Sequence, residues 1–571
     1  MQQPDPPPKR QSLLRVWFAL LAVTLACRAF LLQDPADWLA IVFPGVVAAT
    51  AYLLLYCLLL RFPVWHLSLA WLALPLLLFA GGWLRIYWAV PLLLLWGYAL
   101  RCAWQQERIV RWQASRSQLA GLLLVLAWAY FSGAGNYGHQ SPDYIMHNGR
   151  LLDLVRESWP VHFAHGTWVQ HPDYGLQHSY LVGYLAYYLP PALLGKLAGE
   201  QVAFEGMHLW TLAGGWLALL WLWRLAGPAS GVLAAIALLL FGGWDAVGAV
   251  VSLVEGSVRR QVPFELSTIG AFFGSLDQDT GSLDFWPVLL FGYFFGGYLS
   301  NAAELFWSPH QTLAAWVCMG LLLQAFRSGH LAVLCFIYAL LAFWSPMNMV
   351  ATAVLPLCMV LSRGIHSVRA ALTTHNVVAG GSMLLLFALY YLSGSAAANP
   401  CAFVWQQFDF DGRWWVFLLF HGLSWGMYAV AVASGWRGLA ATDRLVFLAL
   451  CAALLLLSLV SYGQYNDLLC RGITGLYFLL LVFLLQRVGQ VWQAGRRGRA
   501  ALLAALLLPG TVSGMIHAER AVLHHAEKVP GQSVADYYHG WEFLGRTDSF
   551  FVRYLSRETP VMSAIEAGAQ P

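Results

Sequence analysis

Charged side chains are scarce in this sequence: Asp, Glu, Lys and Arg together make up 11% of the 571 residues. A soluble domain carries about 25% charged residues, so a chain this poor in charge would not keep a water-exposed surface hydrated. Hydrophobic residues reach 59%, and 32 basic against 28 acidic residues leave a net charge of only +4. These numbers exclude a soluble multidomain protein and give no sign of a nucleic-acid partner. They predict an all-α polytopic membrane protein.

The nine cysteines form no framework, because the sequence has no Cys-x-x-Cys pair and no Cys/His spacing typical of a zinc site. Most of them lie in apolar runs, where cysteine behaves as a small hydrophobic residue. Only Cys401 and Cys470 fall in predicted outer loops, which leaves one disulfide as an alternative to two thiols. Arg28 interrupts the region where a signal peptide would be cleaved, so we expect a retained first helix.

Crossing about 30 Å of hydrocarbon takes an apolar run of about 20 residues. The sequence contains about 15 such runs, with 13–16 as the range, because two apolar stretches divide ambiguously, one at Arg85 and one at Trp344-Ser345-Pro346. The predicted spans are 13–33, 38–60, 64–81, 86–100, 117–133, 202–224, 229–250, 311–327, 330–346, 347–362, 375–393, 414–434, 445–461, 472–487 and 500–516.

Lys and Arg are distributed unevenly between alternate loops. With the N-terminus in the cytoplasm, most bases of the short loops fall on the cytoplasmic side and almost all acids fall on the other. This orientation gives an N-terminal four-helix membrane segment (1–116), a transmembrane core (117–516) with outer loops 134–198 and 252–310, and a short outer tail (517–571). The tail is too small for a core of its own, so we expect it to pack on the outer loops.

The first outer loop contains a helical pattern that begins after Ser-Pro-Asp. Asp143 stands at or near its N-cap, where a carboxylate can accept backbone N–H bonds. His147 and Arg150 follow at helical spacing and share one face with Asp143. The helix is therefore either simply capped by Asp143 or presents Asp143, His147 and Arg150 along the membrane surface. The apolar segment 178–198 contains a Pro-Pro pair that breaks it, and we expect a juxtamembrane or re-entrant helix there.

Six histidines fall between 139 and 178. His162 and His165 are three residues apart and are candidates to share a metal, but the run lacks the spacing of HExxH or of cysteine pairs. We expect histidines bonded to water or backbone at the interface. A catalytic divalent cation on Asp143 is the alternative.

Charged and polar residues also stand at other predicted outer helix ends. Asp245 lies at the end of the span 229–250, where an acid is costly unless it is paired or faces a polar cavity. Asp467 and Arg471 are four residues apart, which predicts either a structural ion pair or a cation that binds a lipid phosphate. The remaining candidates for substrate binding are Arg259, Arg260, Glu304, His310, Gln311 and Asn466.

Five segments carry a resemblance to a known family: DYIMHNGRLLDLVRESWPV, FGGWDAVG, LFWSPHQTLAAW, FWSPMNM and YNDLLCRG. They are similar to stretches of bacterial membrane proteins grouped with the GT-C superfamily of integral membrane glycosyltransferases. The resemblance covers about 117–516 and includes a large first outer loop with an acid at the start of a juxtamembrane helix. Many members carry paired acids in that loop, whereas here Asp143 is followed by Tyr144. The resemblance implies a bacterial inner membrane protein whose outer loops lie in the periplasm.

It also implies transfer of a sugar from a polyprenyl-phosphate carrier to a periplasmic acceptor hydroxyl of a glycan, lipid or protein. Inverting transfer needs a carboxylate that takes the acceptor's proton and a cation that holds the leaving phosphate. Asp143 is the expected base, Asp245 would position the base or the acceptor, and His147 is the third catalytic candidate. Arg471 would hold the phosphate.

Three alternatives stay open. A transporter or flippase would show internal symmetry, broken helices at mid-membrane and buried charges there, and Arg28 and Arg85 are the only obvious intramembrane ions. A glycan polymerase or ligase would carry its main loop late in the chain, whereas the long loops here are early. A non-catalytic scaffold is the third alternative.

Overall fold

The structure is a computed structural model of the chain and is built almost entirely from helices. Short antiparallel strands occur only in the loops. The description covers residues 10–31, 38–107, 115–164, 167, 179–227, 231–275, 283–291, 296–394, 401–407, 414–463, 466–526, 528–537 and 540–558.

The first half of the chain contains the N-terminal helices and the first large loop. Its elements are α1 (Arg10–Leu31), α2 (Trp38–Arg61), α3 (Val64–Trp83), α4 (Ile86–Trp104), α5 (Arg116–Phe131), α6 (Tyr144–Arg156), β1 (His162–Phe163), β2 (Ser179–Leu181), α7 (Leu189–Ala198), α8 (Glu200–Ala226), α9 (Gly231–Leu240), α10 (Asp245–Arg260), α11 (Leu266–Ser275), α12 (Trp286–Phe291), α13 (Asn301–Trp307) and α14 (Pro309–Arg327).

The second half continues with helices of similar length and ends in the tail. Its elements are α15 (Leu331–Ala339), α16 (Pro346–Thr352), α17 (Val354–Leu361), α18 (Ile365–Ala371), α19 (Gly381–Leu392), β3 (Cys401–Phe403), α20 (Val404–Gln407), α21 (Trp414–His421), α22 (Met427–Ala433), α23 (Ala441–Leu459), β4 (Val460–Tyr462), α24 (Asp467–Gly472), α25 (Thr474–Gln493), α26 (Arg497–Ala505), α27 (Leu507–Leu523) and β5 (Leu544–Arg546).

Within the described ranges, ten helical segments are long and apolar enough to cross a membrane, and the bent pair α9–α10 brings the number to eleven if it is one span. All of them coincide with predicted spans. The other predicted spans are also helical, but α5 and the α15 region are shorter apolar helices, and 347–362 is divided between α16 and α17. The chain is thus an all-α polytopic membrane protein, as predicted.

The membrane-spanning helices end on two surfaces. The loop face carries α6, α13, α24 and the tail residues 528–537 and 540–558, and the arginine face lies at the opposite ends of α8, α14 and α25. Arg224 and Arg327 lie on the arginine face. Arg224 pairs there with Glu107, and Arg327 Nε lies 2.8 Å from Asp443 Oδ1.

Tryptophan side chains join the N-terminal helices to the core. The indole N–H of Trp344 donates to the Leu72 carbonyl at 3.0 Å, and that of Trp221 donates to Ser68 Oγ at 2.8 Å. Trp71 stacks on Trp344 with ring centroids 4.3 Å apart. These contacts bury large aromatic surfaces. They also give the indole N–H groups of Trp344 and Trp221 a hydrogen-bond partner, which a polar group in hydrocarbon surroundings requires.

The two arginines predicted inside the membrane both have acidic partners. Arg28 Nη2 lies 3.0 Å from Glu205 Oε1, and Arg85 Nη2 lies 3.2 Å from Glu558 Oε1. The first pair joins α1 to α8, and the second joins the start of α4 to the tail.

The tail packs on the first large loop, as expected. Strand β5 pairs with β2, and β2 pairs with β1, in an antiparallel sheet that sets Leu544 opposite Leu181. Asp153 Oδ2 on α6 accepts a hydrogen bond from the Val534 amide at 2.9 Å. The tail therefore covers one side of α6 with both a strand and a turn.

Two sequence predictions need correction, and one open alternative is decided. The Pro-Pro pair in 178–198 lies in the first turn of α7 and begins that helix rather than breaking it, because proline fits where no intrahelical N–H bond is needed. The predicted span 229–250 is broken at 241–244, and the two parts meet at 46°. Cys401 and Cys470 are both thiols. Cys401 is exposed and Cys470 is buried, so no disulfide joins them.

Candidate active site

Asp143 immediately precedes α6 on the loop face. Its carbonyl accepts bonds from the amides of Met146 and His147 at 3.1 and 3.0 Å, but its side chain makes no cap hydrogen bond. The side chain is partly exposed. Its charge acts on Arg471 and on Tyr188. The carboxylate is thus not used to cap the helix, and its charge influences a cation that comes from a distant part of the chain.

His147 lies one turn further along α6 and is buried. Its Nε2–H donates to the Trp307 carbonyl at 2.9 Å, and its Nδ1 accepts from the Tyr188 hydroxyl. Burial, together with the nearby charge of Arg150, lowers the pKa of His147 to about 3. The imidazole is neutral and both of its nitrogens form hydrogen bonds, so it links α6 to α7 and α13. His147 therefore serves to position these helices.

Arg150 is the most enclosed cation of α6, with 1% of its surface exposed. Its guanidinium carbon lies 3.7 Å from the centroid of the Phe543 ring, and Nη2 lies 2.9 Å from Met146 Sδ. Nε and Nη1 have no hydrogen-bond partner among the described residues. The tail thus supplies the aromatic ring that covers the Arg150 guanidinium. Arg150 places a positive charge beneath the site.

Arg471 comes from α24. Asn466 caps this helix by accepting a bond from the Leu469 amide, and Arg471 Nε lies 3.3 Å from Asp467 Oδ1. Burial lowers the pKa of Arg471, but the carboxylates of Asp467 and Asp143 raise it more, and its net pKa lies above the ordinary value. A third of the side chain, 34%, remains exposed. The predicted ion pair is present, and part of the Arg471 side chain remains accessible.

A hydrogen-bonded chain holds the backbone of Arg471 in place. Ser345 Oγ donates to Gln311 Oε1 at 2.9 Å, and Asn348 Nδ2 donates to Ser345 Oγ at 3.0 Å and to the Arg471 carbonyl at 2.7 Å. Thr474 Oγ1 in turn donates to Asn348 Oδ1 at 2.7 Å. These bonds connect α14, α16, α24 and the start of α25, so Gln311 acts on the site through Arg471.

Glu304 lies on α13, fully buried beside the same group. Its Oε2 accepts bonds from Ser308 Oγ at 2.5 Å and from Thr312 Oγ1 at 3.2 Å. Burial raises the pKa of Glu304 to about 7, although the Ser308 bond and the charge of Arg471 oppose that increase. The charge state of this residue therefore changes near neutral pH.

Aromatic rings form the wall between α6 and α14. His310 lies among them: its ring centroid is 5.7 Å from that of Tyr184 and 5.1 Å from that of His147. Tyr184 and Trp307 retain partial exposure, whereas His310 is buried. Both ring nitrogens of His310 lack a hydrogen-bond partner in the described part of the chain.

The structure does not bring every predicted residue together. Asp143, His147, Arg150, Glu304, His310, Gln311, Asn466, Asp467 and Arg471 all lie around this part of the loop face. Asp245 is fully buried at the start of α10, against α12 and α27. Arg259 and Arg260 are exposed on the last turn of α10, and no described contact joins them to Arg471.

Sequence reasoning missed Tyr184, Tyr188, Ser345 and Asn348. Ser345 and Asn348 lie in FWSPMNM, one of the segments that carry the family resemblance, so the sequence did hold a signal for these two residues. The tyrosines had none, because an aromatic residue in an apolar segment reads as a membrane-interface residue.

A metal centre has little support in the described ranges, where His, Cys, Asp and Glu form no group of three arranged to hold an ion. His162 Nδ1 bonds to the Pro160 carbonyl at 3.1 Å. His165 lies outside the described residues.

Comparison with known proteins does not assign this chain to a family. A scan against protein-family models, a search of curated proteins and a search of solved structures each found no match to this chain.

Proposed function

We propose that this protein is an inverting glycosyltransferase of the GT-C type, which moves a sugar from a polyprenyl-phosphate carrier to an acceptor hydroxyl. The observation that carries the proposal is the pairing of two side chains. The Asp143 carboxylate is partly exposed and makes no cap bond, and its charge acts on Arg471, which is itself one-third exposed. The proposed base and the proposed phosphate-binding cation therefore influence each other electrostatically on the loop face.

The chemistry follows from this pair. The Asp143 carboxylate accepts the proton of the acceptor hydroxyl as its oxygen bonds to the anomeric carbon. The bond from that carbon to the carrier phosphate breaks, and the phosphate leaves with the bonding electrons. Arg471 neutralises the charge that develops on the phosphate. Attack from the side opposite the phosphate inverts the anomeric centre.

The surroundings suit a lipid-linked donor. The site lies at the ends of apolar spans, where a carrier headgroup would meet the protein while its chain stays in the bilayer. Tyr184 and Trp307 offer partly exposed ring faces to a sugar. The proposed orientation puts the loop face in the periplasm of a bacterial inner membrane and the N-terminus in the cytoplasm.

One observation favours the transport alternative, namely the bent pair α9–α10 with the buried carboxylate of Asp245 at the break. Transport would be detected as uptake of a labelled lipid-linked or small substrate into vesicles that contain the purified protein.

The test of the glycosyltransferase uses Asp143→Asn. Asparagine keeps the shape of the side chain and leaves the helix start intact, because no side-chain cap bond is lost. It removes the proton acceptor, so the transfer rate should fall roughly 10²–10⁴-fold. The assay follows label from radiolabelled polyprenyl-phosphate sugars to acceptors in a membrane extract.

The matched control is Asp536→Asn, an exposed acid of the tail that bonds to Thr167. We expect it to transfer label like the wild type. Equal transfer by Asp143→Asn would exclude Asp143 as the base. A wild type that transfers label from none of several donors would overturn the proposal.

A further inference from the structure

An open cavity lies on the arginine face, away from the candidate active site. It has a volume of about 360 Å³ and is lined by the turn 433–438, which follows α22, and by Arg487 of α25. Cavities of about 300–1,000 Å³ hold small ligands. Arg471 directly precedes α25, whereas Arg487 lies in its last two turns. Glycosyl transfer at the loop face therefore does not account for this cavity.

The turn that lines the cavity is braced by Arg444. Its Nε donates to the Leu439 carbonyl at 3.0 Å, and its Nη2 donates to the Arg437 carbonyl at 3.2 Å. The Arg444 guanidinium carbon also lies 5.7 Å from the centroid of the Trp436 ring. These contacts fix the backbone of Arg437, whose own side chain is exposed at the cavity.

Arg487 packs against the start of the same turn. A Cβ added to Gly435 would overlap the Arg487 guanidinium, so this group lies directly on the glycine backbone. Its Nη2 donates to the Ser434 carbonyl at 3.3 Å, and its Nε has no hydrogen-bond partner among the described residues. Because a guanidinium has five N–H donors, Arg487 retains donors for a ligand.

Positive charge accumulates around the cavity without acidic partners. The charges of Arg496 and Arg499 act on Arg487. Neither these three bases nor Arg437 forms an ion pair with an acid in the part of the chain that the structure describes. The preference of loops on one side of a membrane for Lys and Arg explains bases on this face, but it does not place two of them in the wall of a cavity. An anion bound there would relieve their mutual repulsion.

We propose that this cavity binds a phosphate group through the guanidinium groups of Arg437 and Arg487. Arginine suits this ligand because its planar fork of N–H donors matches the oxygens of a phosphate. The site is separate from the proposed glycosyl transfer and needs no donor sugar.

The position of the cavity favours the headgroup of an anionic phospholipid as the source of the phosphate. Val430 is exposed on α22 one turn before Ser434, so an apolar surface for an acyl chain begins beside the cavity. Trp436 is half-buried in the cavity wall. Tryptophan is typical of the level of the headgroups, where basic pockets at helix ends bind anionic lipids.

Native mass spectrometry of the purified full chain in detergent tests the site with two anionic lipids. Dioleoylphosphatidylglycerol carries a phosphate and oleate does not. We expect the double variant Arg437→Gln/Arg487→Gln to bind the first molecule of phosphatidylglycerol roughly tenfold or more weakly than the wild type. The matched control is Arg363→Gln/Arg369→Gln, which removes two exposed bases near the start of α15 on the same face. It should bind like the wild type.

Gly435→Ala separates the shape of the cavity from the net charge of the face. Its backbone has φ −110°, which alanine also adopts, and the variant keeps every charge. The added methyl group displaces the Arg487 guanidinium, so we expect it to weaken phosphatidylglycerol binding about as much as Arg487→Gln alone. This variant also carries the test if the double variant does not fold.

Inorganic phosphate distinguishes the two sources of the ligand. If the wild type binds inorganic phosphate and the double variant does not, while both bind phosphatidylglycerol equally, the cavity takes a soluble phosphate compound. Equal binding of both probes by wild type and double variant would overturn the proposal. So would wild-type binding by Gly435→Ala, or an affinity for oleate equal to that for phosphatidylglycerol, since either would show that only charge matters.

Discussion

At the scale of single residues, Arg471 has two roles that mutation can separate. It is the ion-pair partner of Asp467, and it is the partly exposed cation on which the charge of Asp143 acts. A charge-assisted bond to a phosphate contributes about 1.5–3 kcal/mol. Arg471→Ala should therefore raise the KM for a polyprenyl-phosphate sugar about tenfold or more.

Asp467→Asn is the matched variant, because it breaks the ion pair but keeps the cation. We expect its donor KM to be unchanged or lower. If Arg471→Ala left the donor KM unchanged, Arg471 would serve only as the partner of Asp467.

Glu304 makes the stability of the fold depend on pH. Its pKa rises from an ordinary 4.5 to about 7 in the folded protein, mainly through burial. The folded state then binds more protons than the unfolded state between these values, so stability is greatest below about pH 4.5 and falls as pH rises through 7. The loss is at most of the order of 3 kcal/mol.

Glu304→Gln resembles the protonated form and should remove this dependence. Thermal unfolding in detergent should give similar Tm values for wild type and Glu304→Gln at pH 5, and a higher Tm for the variant at pH 8. A Tm that changes by the same amount in wild type and Glu304→Gln between pH 5 and 8 would contradict the assignment to Glu304.

At the scale of elements, α6 depends on close contact with the tail. A Cβ added to Gly149 would overlap the carbonyl oxygen of Gln532, so only glycine lets the tail backbone lie against the helix here. Gly149→Ala should push the tail from α6, lower the Tm and speed proteolysis after residue 528. Gly97→Ala, in α4, has open space for its methyl group and should change neither measurement.

Helices were predictable from the sequence where the local pattern of residues determines them. The helix after Asp143 follows from the spacing of its apolar and polar residues, and α6 was found where expected, although the Asp143 side chain does not cap it. The break at 241–244 was missed because FGGW reads as the end of a span. It is stabilised by Asn301 and Tyr428, which are distant in sequence.

At the scale of the whole molecule, the two faces should lie on opposite sides of a membrane. Cys401 is exposed near β4 and α24, and Gln493 is exposed at the far end of α25. A membrane-impermeant maleimide added to intact cells should label Cys401, whereas a chain with Gln493→Cys and Cys401→Ser should be labelled only after the cells are opened. Labelling of both in intact cells would contradict the single-sided arrangement of the loops.

The site could be predicted only in pieces. The spacing of Asp467 and Arg471 predicted their ion pair, because residues four positions apart are neighbours on the surface of a helix. It could not give the proximity of Asp143 and Arg471, since more than half of the chain separates them. Nor could it show that Asp245 lies apart, since every charged residue at a helix end looks alike in a sequence.

The sheet formed by β1, β2 and β5 has a consequence for the order of synthesis. Strand β2 and Asp153 emerge from the ribosome long before their partners Leu544 and Val534 are translated. The ring that covers Arg150, Phe543, belongs to the same late segment. The site is therefore completed only after residues 534–546 have been made, and a nascent chain that stalls before residue 530 would sit in the membrane with its first loop unfinished and exposed to proteases.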